Sequence, residues 1–348
     1  MLLLLDVALI RSGVYYGWIE PDSTAGSVVG ATLAIPHYYD PARKNILVLG
    51  NSQIGEGFSG SLADAESGRD DLHFINGAVA GTTPRIWNYL LRSVDPHADK
   101  FAAIALMIDY NLDERFDDLG NYPLDTGYAV PLLRITDVLD YPATFSDPAQ
   151  RARARRAILL PLQALHDDAR ALLAAPRRRY HEIVDNRPQW LEAVGAYPGR
   201  EQALPDLVID HDSGLPVEWG PHESDFKPML EGYFRGLREH ADAARQASNM
   251  DYQREWLGRI AARYAAHNVP VIVFVVPRGP WRATLSPPPV ANAALAEMAA
   301  RGRIHPLPGD AFVELEQPQF FFDTLHMNRA GRTRFSQLFA RAVAPLVH

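Results

Sequence analysis

The chain has 348 residues, 47% of them hydrophobic and 22% charged, with a formal net charge of −8. That composition can bury the core of one large or two ordinary domains. The acidic balance argues against nucleic acid as the main partner, and the absence of cysteine excludes disulfides and thiolate metal sites.

The first segment is apolar from Leu2 to Leu5 and from Val7 to Ile10, broken only by Asp6. It falls far short of the roughly 20 residues that span a bilayer. It also has neither a basic leader nor a small-residue cleavage site. Two readings stand. Residues 1–12 are the tail of a membrane anchor, or they form an amphipathic helix packed on the domain. The first places the protein in the cell envelope, periplasmic or extracytoplasmic, which the lack of cysteine also fits; the second leaves it cytoplasmic. Residues 14–44 hold Pro21, Gly26, Gly30, Pro36 and Pro41 and read as an irregular lead-in. The expected division is therefore 1–44 as apolar segment and lead-in, and 45–348 as one domain.

Asn45-Ile-Leu-Val-Leu-Gly-Asn-Ser52 reads as a buried strand over about 45–50 that ends in a tight turn. The turn delivers Ser52 to the edge of a sheet, where open α/β folds bind ligands. Taken alone, Ser52 is better read as a helix cap than as a nucleophile. Gly55, Gly57 and Gly60 follow, so the next helix starts near Ser61. A second strand fits Leu72 to Asn76. Thr83-Pro84 then signals a helix that runs to about Val94. A third strand spans about Phe101 to Ile108 and ends in Asp109-Tyr110-Asn111.

From about 120 to 245 the pattern loosens into an insertion of helices and loops. Arg151, Arg153, Arg155 and Arg156 lie in a helical stretch that reaches about Ala174, and Arg177-Arg178-Arg179 follow. A solvated face is the expected role for these arginines. Trp190, Tyr197, Trp219 and Tyr233 read as packing residues, with stacking on sugar rings as the alternative. A helix from about Asp251 to His267 leads into Val271–Val276, the clearest buried strand. A helix over about 291–301, a short strand near Ile304 and a closing helix from Arg329 to about Val347 complete the chain. Strands alternating with helices predict an α/β fold with a doubly wound parallel sheet.

Chemistry gathers at four places: Gly50-Asn51-Ser52, Asn76 to Gly81, Asp109-Tyr110-Asn111, and Asp323-Thr324-Leu325-His326. A serine nucleophile needs a base, the base needs a carboxylate to hold its tautomer, and the tetrahedral intermediate needs donors for its oxyanion. Ser52, His326 and Asp323 supply the first three roles. The backbone amides of Ser52 and Gly81 and the side chain of Asn111 supply the donors.

These segments resemble the SGNH (GDSL-like) hydrolase superfamily. Gly50-Asn51-Ser52 is similar to its Gly-Asp-Ser block, with Asn in place of Asp. Asn76 to Gly81 matches its Asn-x-x-x-x-Gly turn. Asp109-Tyr110-Asn111-Leu112 keeps the Asn of its Gly-x-Asn-Asp block and loses the Gly and the Asp. Asp323 and His326 match its Asp-x-x-His pair. The resemblance implies a three-layer α/β/α, doubly wound, flavodoxin-like fold and a serine acyl-enzyme catalyst. Its expected substrate is an acylated small molecule or polysaccharide, such as the O-acetyl groups of cell-envelope carbohydrate. O-acyl transfer to an exported polysaccharide is the first alternative, and a catalytically silent glycan-binding module is the second.

No cofactor or metal is expected. Gly55-x-Gly57-x-x-Gly60 imitates a dinucleotide fingerprint, but its first glycine stands about five residues past the strand end and the second strand ends in Asn76 rather than a carboxylate. The remaining histidines lack paired metal-ligand spacing. Asp212-Ser213-Gly214 reads as a polar turn.

Overall fold

The computed structural model describes residues 6–108, 122, 124–185, 197–205, 207–208, 210, 243–281 and 293–348. Among these residues five parallel strands form one sheet: β1 (Lys44–Leu49), β2 (Leu72–Asn76), β3 (Ala103–Ile108), β4 (Val271–Val275) and β5 (His305–Pro306). Their order is β2-β1-β3-β4-β5. Val48 pairs with Asn76 on one side and with Ala105 on the other. The strand order reverses beside β1, so the C-terminal end of β1 is the switch point where ligands bind in such sheets.

Among the described residues the α-helices of five residues or more, in chain order, are α1 (Thr24–Tyr38), α2 (Ser52–Gly57), α3 (Gly60–Ser67), α4 (Pro84–Val94), α5 (Asp125–Ala129), α6 (Pro148–Leu159), α7 (His166–Ala174), α8 (Ala243–Ala265), α9 (Ala293–Ala300) and α10 (Arg329–Val343). They cover both faces of the sheet. On one face α3 packs on α10, around a cluster of Phe58, Phe74, Phe274, Phe312, Phe335 and Phe339 whose rings meet largely edge to face. On the other face α1, α4 and α8 pack side by side. Every residue of β3 is buried, as expected of a strand sandwiched between two helical layers.

The expected irregular lead-in contains α1. Ser23 caps this helix by accepting a hydrogen bond from the Gly26 amide at 2.9 Å, and Val28, Ala31 and Ile35 enter the main core. Gly26 lies so close to the carbonyl of Glu20 that a side chain there would overlap it. Gly26, one of the glycines that suggested a loop, therefore permits close packing, and Pro36 falls in the last turn. Ahead of α1, residues 6–17 form two short helical turns, and Ile10, Tyr15 and Ile19 make a second apolar cluster with Ala157 and Leu165. Asp6 is buried there and accepts from the Leu162 amide at 2.9 Å, while Arg11 donates to the carbonyl of Ile158 at 2.8 Å. Among the described residues no helix is long and apolar enough to cross a membrane.

Arg179 departs from the expected solvated face. It is 1% exposed and pairs with Asp168 at 2.9 Å and Glu20 at 2.5 Å. Its neighbours Arg177 and Arg178, like Arg151, Arg153, Arg155 and Arg156, are exposed. The helix expected near Ser61 is two helices. The first starts at Ser52 itself, and the second at Gly60, capped by Ser59.

Candidate active site

The turn that carries Ser52 is built by Asn51. Its side chain accepts from the Gln53 amide at 2.9 Å and so caps α2. The capping role that Ser52 could have taken is thereby filled by its neighbour. Ser52 becomes the first helical residue, with its hydroxyl free for another partner. An amide in the first turn of a helix has no acceptor within that helix.

That other partner is His326. The Ser52 hydroxyl and His326 Nε2 are 2.8 Å apart, across 274 residues of sequence. His326 Nδ1 lies 2.8 Å from Asp323 Oδ2. Asp323 Oδ1 accepts from the backbone amides of Leu325 at 2.8 Å and His326 at 2.6 Å. A single local turn therefore aims the carboxylate and the ring at each other. Burial would push the Asp323 carboxyl up, but the hydrogen bonds from the His326 side chain and amide, with help from Leu325, hold it below its ordinary value. An ionised Asp323 keeps the proton on Nδ1 and leaves Nε2 as acceptor for the serine hydroxyl. The side chains of His326 and Asp323 are 21% and 29% exposed, within reach of a substrate.

The turn is held on both sides. Phe321 and Met327 form an antiparallel bridge, and Asn328 caps α10 by accepting from the Gly331 amide at 3.0 Å. The Phe322 ring stacks on the imidazole, with centroids 5.7 Å apart and planes 11° from parallel. Arg200 lies over the Phe322 ring at 4.5 Å. Stacked on the imidazole, the Phe322 ring limits the tilt of the His326 side chain.

The second expected segment lies beside Ser52. The Val79 amide donates to the carbonyl of Gly50 at 3.0 Å, which brings the loop after β2 alongside the loop after β1. Asn76 clamps the two together. Its amide nitrogen donates to the carbonyls of Ile54 at 3.2 Å and Phe58 at 3.0 Å, and its oxygen accepts from Ala78 at 3.1 Å. Gly81 has φ +72°, and a Cβ there would overlap the Tyr128 hydroxyl. Only glycine takes that conformation and that contact without cost. The backbone amides of Ser52 and Gly81 have no acceptor among the described residues. Asn111, the third expected donor, lies outside the described residues, as do Asp109, Trp190, Trp219, Tyr233 and the Asp212-Ser213-Gly214 turn.

Two contributors, Asn51 and Arg332, escape a reading of the sequence, and Tyr197 packs as expected. Asn51 has a local signal, an Asn directly before a helix. Arg332 has none: it is buried on α10 and donates to the carbonyls of Gly55 at 3.0 Å and Glu56 at 2.8 Å, near the end of α2. Burial pushes its guanidinium down to about 10, against the pull of Tyr197 and Glu56, so it remains a cation where the helix dipole favours one. Tyr197 packs its ring under Arg332 and donates its hydroxyl to Glu56. Two glycines of the dinucleotide-like pattern are packing positions, whereas Gly55 has open space around it: a Cβ on Gly57 would overlap Met327, and one on Gly60 would overlap the backbone of Phe74. Among the described residues no group of three or more His, Cys, Asp or Glu side chains is placed to hold a metal.

No protein-family model matches the chain, and no curated protein matches it in sequence.

Proposed function

We propose that the protein is a serine-dependent acyl-ester hydrolase that works through an acyl-enzyme at Ser52. The observation that carries the reading is the continuous chain Ser52–His326–Asp323, with both side-chain links at 2.8 Å. The resemblance of the four segments to SGNH hydrolases points the same way. A glycan-binding module would have no use for a serine hydroxyl held on a base that is itself held on an ionised carboxylate.

In the reaction the Ser52 oxygen attacks the ester carbonyl and its proton passes to His326 Nε2. Asp323 stabilises the imidazolium that forms. The carbonyl oxygen, now an anion, faces the amides of Ser52 and Gly81. Collapse expels the alcohol, which takes the proton from Nε2. A water then repeats the sequence on the acyl-enzyme and releases the acid and free Ser52. If a sugar hydroxyl replaces the water, the same steps give O-acyl transfer, so the acceptor alone separates the two reactions. The substrate class that the resemblance supports is acylated carbohydrate. Losing one oxyanion donor typically costs about 2.7–4 kcal/mol in the barrier, and an amidated orienting carboxylate about 10⁴ in rate.

The test uses the purified protein with a fluorophosphonate probe and p-nitrophenyl acetate, with and without oligosaccharide acceptors. Labelling at Ser52 and turnover are expected, and both are to vanish in Ser52→Ala while its melting temperature stays within a few degrees. Ester cleavage retained by a folded Ser52→Ala protein would overturn the proposal. Acylated sugar among the products would assign the transferase form.

A further inference from the structure

The loop that carries Gly81 is pinned by a buried polar network that the proton relay does not use. Thr83, two residues beyond Gly81, donates its hydroxyl to the Asp125 carboxylate, 3.0 and 3.1 Å from its two oxygens. The Tyr252 hydroxyl in turn donates to Thr83 Oγ1 at 2.9 Å. Arg85 donates to Asp125 at 2.7 Å and to the carbonyl of Thr144 at 3.1 Å. The side chains of Arg85 and Asp125 are both 0% exposed, and the rings of Phe145, Tyr252 and Trp256 lie 4.0–5.5 Å from the guanidinium.

Asp125 also opens α5, and α5 carries Tyr128 three residues on. The Tyr128 hydroxyl is the atom that lies against Gly81. One carboxylate therefore fixes the loop from two directions, through Thr83 on the chain itself and through α5 on the wall that Gly81 rests on. A second bond braces the same loop: Trp87 Nε1 donates to Thr82 Oγ1 at 2.9 Å, and Thr82 Oγ1 donates to the carbonyl of Val79 at 2.6 Å.

A buried ion pair is a weak source of stability, because desolvation offsets most of its attraction and an apolar pair of equal volume does as well. Burial pushes the Asp125 carboxyl up to about 6, although Arg85 and Thr83 both favour the charged form. An arrangement that adds little stability here adds direction, since hydrogen bonds to a carboxylate set angles that apolar packing leaves loose.

We propose that Asp125 is a positioning residue, which through Thr83 and Tyr128 holds the Gly81 amide where the oxyanion forms. This rests on the reading of Ser52 as an acyl-enzyme nucleophile. It adds that the donor geometry is set about the Asp125 carboxylate, at the end of a route that never touches substrate.

Thr83→Val removes the hydroxyl and keeps the shape, and Thr83→Ser restores the hydroxyl. Each is compared with the wild type for kcat and KM with p-nitrophenyl acetate and for inhibition by phenylboronic acid, which forms a tetrahedral adduct on an activated serine. A misplacement of the donor by a fraction of an ångström to 1 Å predicts that kcat falls about 10- to 100-fold in Thr83→Val. KM is to stay within about twofold, because the donor acts on the transition state. Boronate affinity falls in parallel, and Thr83→Ser recovers most of both. A folded Thr83→Val protein with unchanged kcat and boronate affinity overturns the inference, as does a loss that Thr83→Ser fails to restore. If Thr83→Val does not fold, Thr83→Ala is the second variant. It removes the same hydroxyl with less bulk, and an unchanged kcat there also overturns the inference. Absence of fluorophosphonate labelling in the wild type would instead overturn the function proposed for Ser52, and this inference with it.

Discussion

Placing a methyl group on Gly81 tests the geometry of the loop by stability as well as by rate. Gly81 sits at φ +72°. A residue with a Cβ loses roughly 1–2 kcal/mol in that region of conformational space. The new Cβ would also overlap the Tyr128 hydroxyl oxygen, whereas the next nearest atoms, Cζ and Cε2 of the same ring, lie at 3.3 and 3.7 Å. Relieving such an overlap in a packed site costs about 1–3 kcal/mol. Gly81→Ala is therefore expected to lose about 2–5 kcal/mol. Tyr128→Phe removes the overlapping oxygen and leaves contacts that are tight but tolerable. In the double variant the conformational part of the loss remains and the steric part disappears. A double-mutant cycle on urea-unfolding midpoints should therefore give a favourable coupling of about 1–3 kcal/mol. The rate of p-nitrophenyl acetate cleavage should follow, falling about 10²-fold in Gly81→Ala, in line with a lost oxyanion donor. A Gly81→Ala protein as stable as the wild type, or a coupling below about 0.5 kcal/mol, would refute the placement of Tyr128 against Gly81.

Two further outcomes are expected. Asn76→Asp keeps the acceptor for Ala78 but replaces the donor to the carbonyls of Ile54 and Phe58 with a buried negative charge; a loss of about 2–4 kcal/mol in urea unfolding at pH 7 is expected, shrinking at acid pH where the new carboxyl is protonated, and full stability at pH 7 would refute the clamp. The hydrogen bond to Asp64, 2.7 Å from Nδ1, raises the His73 imidazole above its ordinary value against the opposing effect of burial, and Nε2 lies 2.8 Å from the carbonyl of Tyr38. A raised folded value means that this contribution to stability is fully present below the ordinary histidine range, about pH 6.5, and is lost as pH rises through the folded value; the difference in melting temperature between wild type and His73→Gln should thus be largest near pH 5.5 and narrow towards pH 8.5, and a constant difference would refute the pairing.

Much of the architecture was legible in the residues because apolar runs report burial directly. Ile46 to Leu49, Ala103 to Ile108 and Val271 to Phe274 are buried strands with helices between them, and a short apolar run closed by a turn has few other solutions. The spacing of Asp323 and His326 was equally informative, since residues three apart on a tight turn can meet without help from the rest of the fold. Glycine and proline misled the reading of residues 14–44. Turn propensity is a local preference, and α1 forms because its packing against the sheet outweighs that preference. Arg179 misled in the same way: an arginine triplet suggests solvent, but Asp168 and Glu20 reach Arg179 from distant parts of the chain and make its burial tolerable.

The residue types and their order along the chain determined which chemistry was available here: a serine after the first strand, a glycine after the second, and an Asp-x-x-His pair before the last helix. Tertiary structure alone decided that these parts meet. The link between Ser52 and His326 closes over 274 residues, and that between Thr83 and Tyr252 over 169. Contacts of such sequence separation depend on the strand order, on the packing of α10 against α2 and on the placing of α8, none of which is encoded in any one segment. Hydrophobic patterning is read from neighbours in sequence, whereas a hydrogen bond between distant side chains is directional and exists only once the whole core has set the distance.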